Sequence, residues 1–181
     1  CVEGIRLASE MITDRPVIAG MIGPYSLAGR LMDINEIMVL CYEEPEMVET
    51  VLEKVTDFLI AYAKAFKAAG ANGVCMAEPV AGLLSPSLIA EFSNPYVKKI
   101  TEAVEDENFV VLYHNCGNIV PLLPKVKELE SKVYSVGNAI DIEDALKALQ
   151  EDSIVMGNID PAGTLRNGTP EQIRKETLEL M

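Results

Sequence analysis

Phe109-Val110-Val111-Leu112-Tyr113-His114-Asn115-Cys116-Gly117-Asn118 runs from an unbroken apolar and aromatic stretch straight into a polar, glycine-bearing turn. A strand that is apolar at successive positions is buried on both faces, the habit of parallel sheets covered by helices. The turn that closes it carries the chain's single histidine, so one segment bears on both the fold class and the place where chemistry would sit.

Working outward from that strand, expected over 109–113, similar short apolar runs predict strands over 17–22, 73–77, 133–136 and 153–156. Helical patterns separate them. Over 45–70, Pro45 opens a stretch whose apolar residues (Val48, Leu52, Val55, Leu59, Phe66 among them) recur at steps of three and four until Gly70 stops it. Further helices are predicted over 2–12, from Ser85-Pro86 through Val104, and over 121–129, 142–149 and 170–180. Strand and helix in strict alternation mean parallel pairing through right-handed crossovers.

The α/β class leaves a barrel or an open sheet. Every strand ends in a polar or glycine-rich turn, and no Gly-x-Gly-x-x-Gly loop follows any of them, which favours the (β/α)8 TIM barrel. Five strands cannot close a barrel that takes about 250 residues. The expectation is a single domain over 1–181, an incomplete portion of such a barrel lacking strands at both ends. Its free edges would then be met by other segments or by another copy of the chain, a homo-oligomer. The chain opens at Cys1 as if cut from something longer.

The 181 residues are 49% apolar and 24% charged, the balance of a globular chain rather than a disordered or fibrous one. A net charge of −13 with no basic cluster would repel a phosphate backbone, which argues against nucleic acid as a partner. The apolar stretch 16–32 is interrupted by Pro24 and Arg30 and falls short of the roughly 20 apolar residues of a membrane span. No targeting peptide is evident, and four cysteines at wide, irregular spacing do not form a secreted disulfide framework, so a reducing cytoplasm is the expected setting.

Candidate chemistry gathers where strands end. Alternation in an extended segment puts His114 and Cys116 on the same side, able to offer a nitrogen and a thiolate to one soft ion, for which zinc is the natural candidate. Two ligands do not complete a zinc site, and the plainer reading is a hydrogen-bonded histidine beside a small buried cysteine. Glu78, just past the second strand, is expected to reach the same mouth as a metal ligand, a support for one, or a general base, unless it is a solvated loop carboxylate. Asn138 and Asp141, and Asn158 and Asp160, repeat the theme of polar groups directly after a strand, although either aspartate could cap the following helix. Cys1, Cys41 and Cys75 are weaker candidates for a third ligand, and the eight methionines are scattered as core filler.

Taken in order, Gly23-Pro24-Tyr25-Ser26-Leu27-Ala28, Ala69-Gly70-Ala71-Asn72-Gly73, Leu84-Ser85-Pro86, Asn94-Pro95-Tyr96, His114-Asn115-Cys116-Gly117-Asn118 and Gly157-Asn158-Ile159-Asp160-Pro161 resemble the uroporphyrinogen decarboxylase superfamily over nearly the whole chain. His-x-Cys-Gly resembles its cobalamin-dependent branch, such as methylcobamide:coenzyme M methyltransferase. That resemblance implies a zinc held by His114, Cys116 and a later cysteine beyond Met181, and a methylcobamide corrinoid as methyl donor. It further implies a corrinoid protein as partner and a small thiol such as coenzyme M as acceptor. Glu78 becomes the candidate catalytic residue, and Gly23, Pro24, Tyr25, Asn138, Asn158 and Asp160 the candidate cofactor-binding residues. A decarboxylase of tetrapyrrole biosynthesis ranks second, because Pro79 stands where those enzymes carry a substrate-binding serine and Arg30 where they carry an active-site tyrosine. A non-catalytic member that binds a tetrapyrrole or a partner is the remaining alternative.

Overall fold

Strands β1 (Ile18–Ile22), β2 (Gly73–Ala77), β3 (Val110–Asn115), β4 (Val133–Val136) and β5 (Ile154–Met156) lie side by side in chain order, all parallel. The computed structural model describes residues 1–181. Strand order without reversal is the arrangement of successive staves of a (β/α)8 barrel, whereas a doubly wound sheet turns back at a switch point. The structure therefore has the expected α/β class and contains part of a barrel wall. No helix is long and apolar enough to cross a membrane.

Register explains which side chains face which way. Ile22, Ala77, His114, Ser135 and Met156 align in one row across the sheet, and Gly20, Cys75, Leu112, Val133 and Ile154 in the row two residues before it. Most of these are only partly buried. The residues between the rows, Met21, Met76, Tyr113 and Tyr134, are buried against the helices. The first set lines the inner face of the barrel wall; the second anchors the outer layer.

That outer layer consists of α1 (Val2–Met11), α2 (Pro24–Met32), α3 (Ile34–Glu43), α4 (Pro45–Ala68), α5 (Pro86–Phe92), α6 (Asn94–Val104), α7 (Leu123–Lys127) and α8 (Ile142–Leu149), while α9 (Pro170–Leu180) lies apart from it, beyond β5. The long α4 is its keystone, packed against α2, α3 and α6. Val48, Leu52, Val55, Leu59, Ala63 and Phe66 form its buried stripe, as their spacing predicts. Its end is a two-bond cap: the Gly70 N–H donates to Lys67 O and the Ala71 N–H to Phe66 O. Gly70 has φ +97°, a conformation that suits a residue without Cβ.

Several boundaries differ from the pattern reading. The segment 24–43 folds as α2 and α3, separated at Asp33, whose carboxylate accepts from the Asn35 and Glu36 N–H groups. The single helix expected from Ser85 to Val104 is broken into α5 and α6 at Ser93, with Pro95 in the first turn of α6, where its missing N–H costs nothing. In 121–129 a 3-10 turn (Val120–Leu122) precedes the short α7. Strand β3 runs past Tyr113 to include His114 and Asn115, and a turn of π-helix (Pro161–Arg166) follows β5.

Candidate active site

His114 stands on the inner face near the C-terminal end of β3, in register with Ala77 on one side and Ser135 on the other. Its Nδ1 lies 3.1 Å from the Ser135 carbonyl oxygen and 3.0 Å from the Ser135 hydroxyl. A carbonyl can only accept, so the bond to it requires a proton on Nδ1, and in that neutral tautomer Nε2 is the nitrogen that would meet a metal. Cys116, one alternation further on, is exposed.

A cleft of about 500 Å³ at this end of the sheet is lined by His114, Cys116, Asn138 and Asn158 together with the backbone of Gly137 and Gly157 and apolar residues of the last turns. Four of the expected site residues are thus brought to one place. Asn158 is also a brace, since its amide nitrogen donates to the Gly137 and Ile140 carbonyls at 3.0 and 2.6 Å and holds the turn after β4 in position. The far wall of the cleft comes from α9, through Thr177 and Leu180.

Glu78 is elsewhere, and parity is the reason. The alternation that turns Ala77 inward turns Glu78 outward, where it is fully buried at the start of α2. One carboxylate oxygen accepts the Tyr25 N–H at 2.9 Å; the other accepts the Ser26 N–H at 3.2 Å and the Ser26 hydroxyl at 3.0 Å. Burial pushes its pKa up to about 8, against the lowering effect of the Ser26 hydroxyl and of the Tyr25 and Ser26 amides. The structure corrects the expectation that Glu78 reaches the mouth beside His114, and equally the reading of a solvated loop carboxylate.

Gly23, Pro24 and Tyr25 form the socket of that carboxylate and do not line the cleft. A Cβ at Gly23 would lie 2.2 Å from Glu78 Oε1, so this close approach needs a residue without a side chain. Pro24 occupies the first turn of α2, and the buried Tyr25 hydroxyl lies 3.6 Å from the Cys41 sulfur. Asp160 lies along a neighbouring groove with Asn138 and Asn158. Its carboxylate caps the π-helical turn by accepting the Ala162 N–H at 2.9 Å, and backbone hydrogen bonds from Gly163 and Ala162 lower its pKa. Asp141 caps α8 in the same way through the Glu143 N–H at 2.8 Å.

The complete chain, residues 1–181, matches the family model described as uroporphyrinogen decarboxylase. The chain belongs to the uroporphyrinogen decarboxylase family. It is 32% identical over 182 residues to a methylcobamide:CoM methyltransferase from Methanosarcina acetivorans, a match covering 99% of this chain and 53% of that protein. A uroporphyrinogen decarboxylase from Xylella fastidiosa is 28% identical, over 96% of this chain and 51% of that one. Among solved structures, a methyltransferase from Methanosarcina mazei superposes with a TM-score of 0.91 at 28% identity, covering 99% of this chain and 53% of its own. The chain spans about half the length of the curated relatives it matches.

Zinc, the metal that the resemblance implies for this family member, can be set against the donors present. His114 and Cys116 are of the right chemical types, share the inner face, and the histidine is oriented through Ser135 as a metal-bound imidazole commonly is. No third His, Cys, Asp or Glu side chain stands with them as a metal-binding group. The pair fits part of a zinc site. Cys75 is half-buried one row lower, and burial raises its thiol pKa, as it does that of Cys41.

Two residues that matter here escape the motif reading. Ser135 looks like one more position in a short strand until register places it against the His114 imidazole. Asn115, between His114 and Cys116, is directed to the opposite face and is buried there. The period-two alternation that pairs His114 with Cys116 carries the signal for both Asn115 and Glu78.

Proposed function

We propose that this chain contributes the histidine and thiolate of a zinc-dependent methyltransferase, which moves a methyl group from a methylated corrinoid to a small thiol such as coenzyme M. The observation that carries the reading is the His114–Cys116 pair lining one cleft at the inner face of the barrel wall, with Nδ1 of the imidazole held at the Ser135 carbonyl and hydroxyl. The relatives named methylcobamide:CoM methyltransferase support it.

Zinc, when bound, would supply a Lewis acid that lowers the pKa of a substrate thiol, so that a thiolate is present at neutral pH to take the methyl group. His114 and Cys116 would hold it, with at least one further protein donor and one open position for the thiol. Ser135 keeps the imidazole in one tautomer and orientation. Asn138, Asn158 and the backbone of Gly137 and Gly157 shape the adjoining wall, where the thiol or the edge of the corrinoid would rest. The remaining strands of the barrel would complete the site. A corrinoid-carrying protein is the expected macromolecular partner.

Decarboxylation finds less support. Pro79 offers neither a hydroxyl nor an N–H to a substrate carboxylate, and Arg30 is exposed at the end of α2.

Elemental analysis of the full-length protein beside its Cys116→Ser variant, after dialysis, tests the proposal. About one zinc per chain, lost in the variant together with thiol methylation from methylcobalamin, is expected. Absence of zinc from both proteins would overturn the reading and move the decarboxylase forward.

A further inference from the structure

The middle residue of His114-Asn115-Cys116 lies on the opposite face of β3 from its neighbours and is only 1% exposed. There its amide ties neighbouring strand ends together. The nitrogen donates to the Glu78 carbonyl, just past β2, at 2.9 Å, with a longer approach of 3.5 Å to the Tyr113 hydroxyl. The side-chain oxygen accepts the Gly117 N–H at 2.9 Å, closing a turn whose tip is Cys116. On the other side, the Asn115 carbonyl accepts the Gly137 N–H, just past β4, at 3.2 Å.

The surroundings are cut to fit this clamp. A Cβ at Gly82 would sit 2.7 Å from the Asn115 side-chain oxygen, and one at Gly137 would sit 2.7 Å from the Cys116 Cα and carbonyl oxygen. Cys116 is therefore bracketed by neighbours whose backbones are anchored, Asn115 through its carbonyl and Gly117 through its N–H, while Cys116 itself is exposed.

We infer that Asn115 is a positioning residue that fixes the Cys116 thiol beside His114 for metal binding, an inference that rests on the zinc-dependent reading above. The turn needs an acceptor for Gly117 and a donor for the Glu78 carbonyl in one short side chain. Asparagine supplies both, whereas alanine supplies neither and leaves the Glu78 carbonyl without the amide that it now accepts from. A groove-facing ligand set would then be ordered before any metal arrives, which lowers the ordering cost of binding.

The test is cobalt(II) binding to the full-length protein, read as dissociation constant and as the thiolate-to-cobalt absorption band at saturating metal. It compares the unsubstituted protein, Asn115→Ala, Gly82→Ala and, as controls, Cys116→Ser and Leu59→Ala. Gly82→Ala removes no hydrogen-bonding group but forces the Asn115 amide to move, so it decides the matter if Asn115→Ala does not fold. Both variants are expected to bind cobalt about 10–100-fold more weakly, the range for groups that support a metal ligand, with an altered thiolate band. Leu59→Ala, destabilised but remote from the cleft, should keep the original affinity and band. Unchanged affinity and band in folded Asn115→Ala and Gly82→Ala would overturn the inference while the zinc reading stands. Cobalt binding equally weak in the unsubstituted protein and in Cys116→Ser would overturn the zinc reading itself and this inference with it.

Discussion

At the scale of single residues, one face or the other of a strand decides role. His114 and Glu78 both sit where parallel strands finish, yet one is offered to the cleft and the other is enclosed beneath α2. The raised pKa of Glu78 has a definite sign in stability. The folded state holds that proton up to about pH 8, whereas an unfolded glutamate releases it near 4.3. The contribution is therefore complete below the unfolded value and is lost as pH rises through the folded one. Relative to Glu78→Gln, the unsubstituted protein should lose stability, of the order of a few kcal/mol, between about pH 5 and 8.5. Urea unfolding of both proteins across that range reads the difference directly, and a gap that does not change with pH would contradict the assignment. The His-x-Cys pair was legible because both residues obey the same alternation. The role of Glu78 was not, because a polar residue in the turn at a strand end shows its face only through its parity from Ala77, which the residue type does not reveal.

At the scale of elements, α4 shows why periodicity works. Leu59 is fully buried in the stripe facing the sheet, and its neighbour Phe58 is 58% exposed. Leu59→Ala should cost about 2–5 kcal/mol through lost burial and a residual cavity, while Phe58→Ala should stay within about 0.5 kcal/mol. Thermal denaturation of the two variants separates them, and equal losses would mean that α4 is rotated from the orientation described. The strand starts at 73 and 133, and the helix 142–149, were readable to the residue because each is bounded by turn residues and carries one clean pattern. Helix α2 was not. Gly23-Pro24 reads as a strand stop, and the helix start hidden in it depends on the distant Glu78 carboxylate, which meets the free N–H groups of Tyr25 and Ser26. The break at Ser93, between α5 and α6, coincides with a local mark, Pro95 in the first turn of α6, that the apolar periodicity across 85–104 overrides.

On the scale of the whole molecule, the sheet presents two unpaired edges and an inner face that remains partly open, with Ile154 and Met156 of β5 well exposed. Exposed strand edges next to apolar surface favour association. Prepared alone, the 181-residue chain should self-associate with rising concentration in sedimentation velocity, and a concentration-independent monomer would count against this. The barrel class was legible from strand and helix order, since alternation and the absence of a phosphate loop leave few topologies. How the inner rows align was not, because register is a property of neighbouring strands, and no single strand contains it.

Strand order has a consequence for the nascent chain. Every strand of this sheet takes its place against the one synthesised immediately before it, with the intervening helices already available to cover the pair. No strand has to wait for a later partner to be inserted between two earlier ones. The ribosome can therefore deliver the wall stave by stave, and each addition closes a loop no longer than one crossover, which keeps the entropy of closure modest. Arrest of synthesis at successive lengths should reveal protease resistance growing from β1 toward β5 in steps of one strand and its helices.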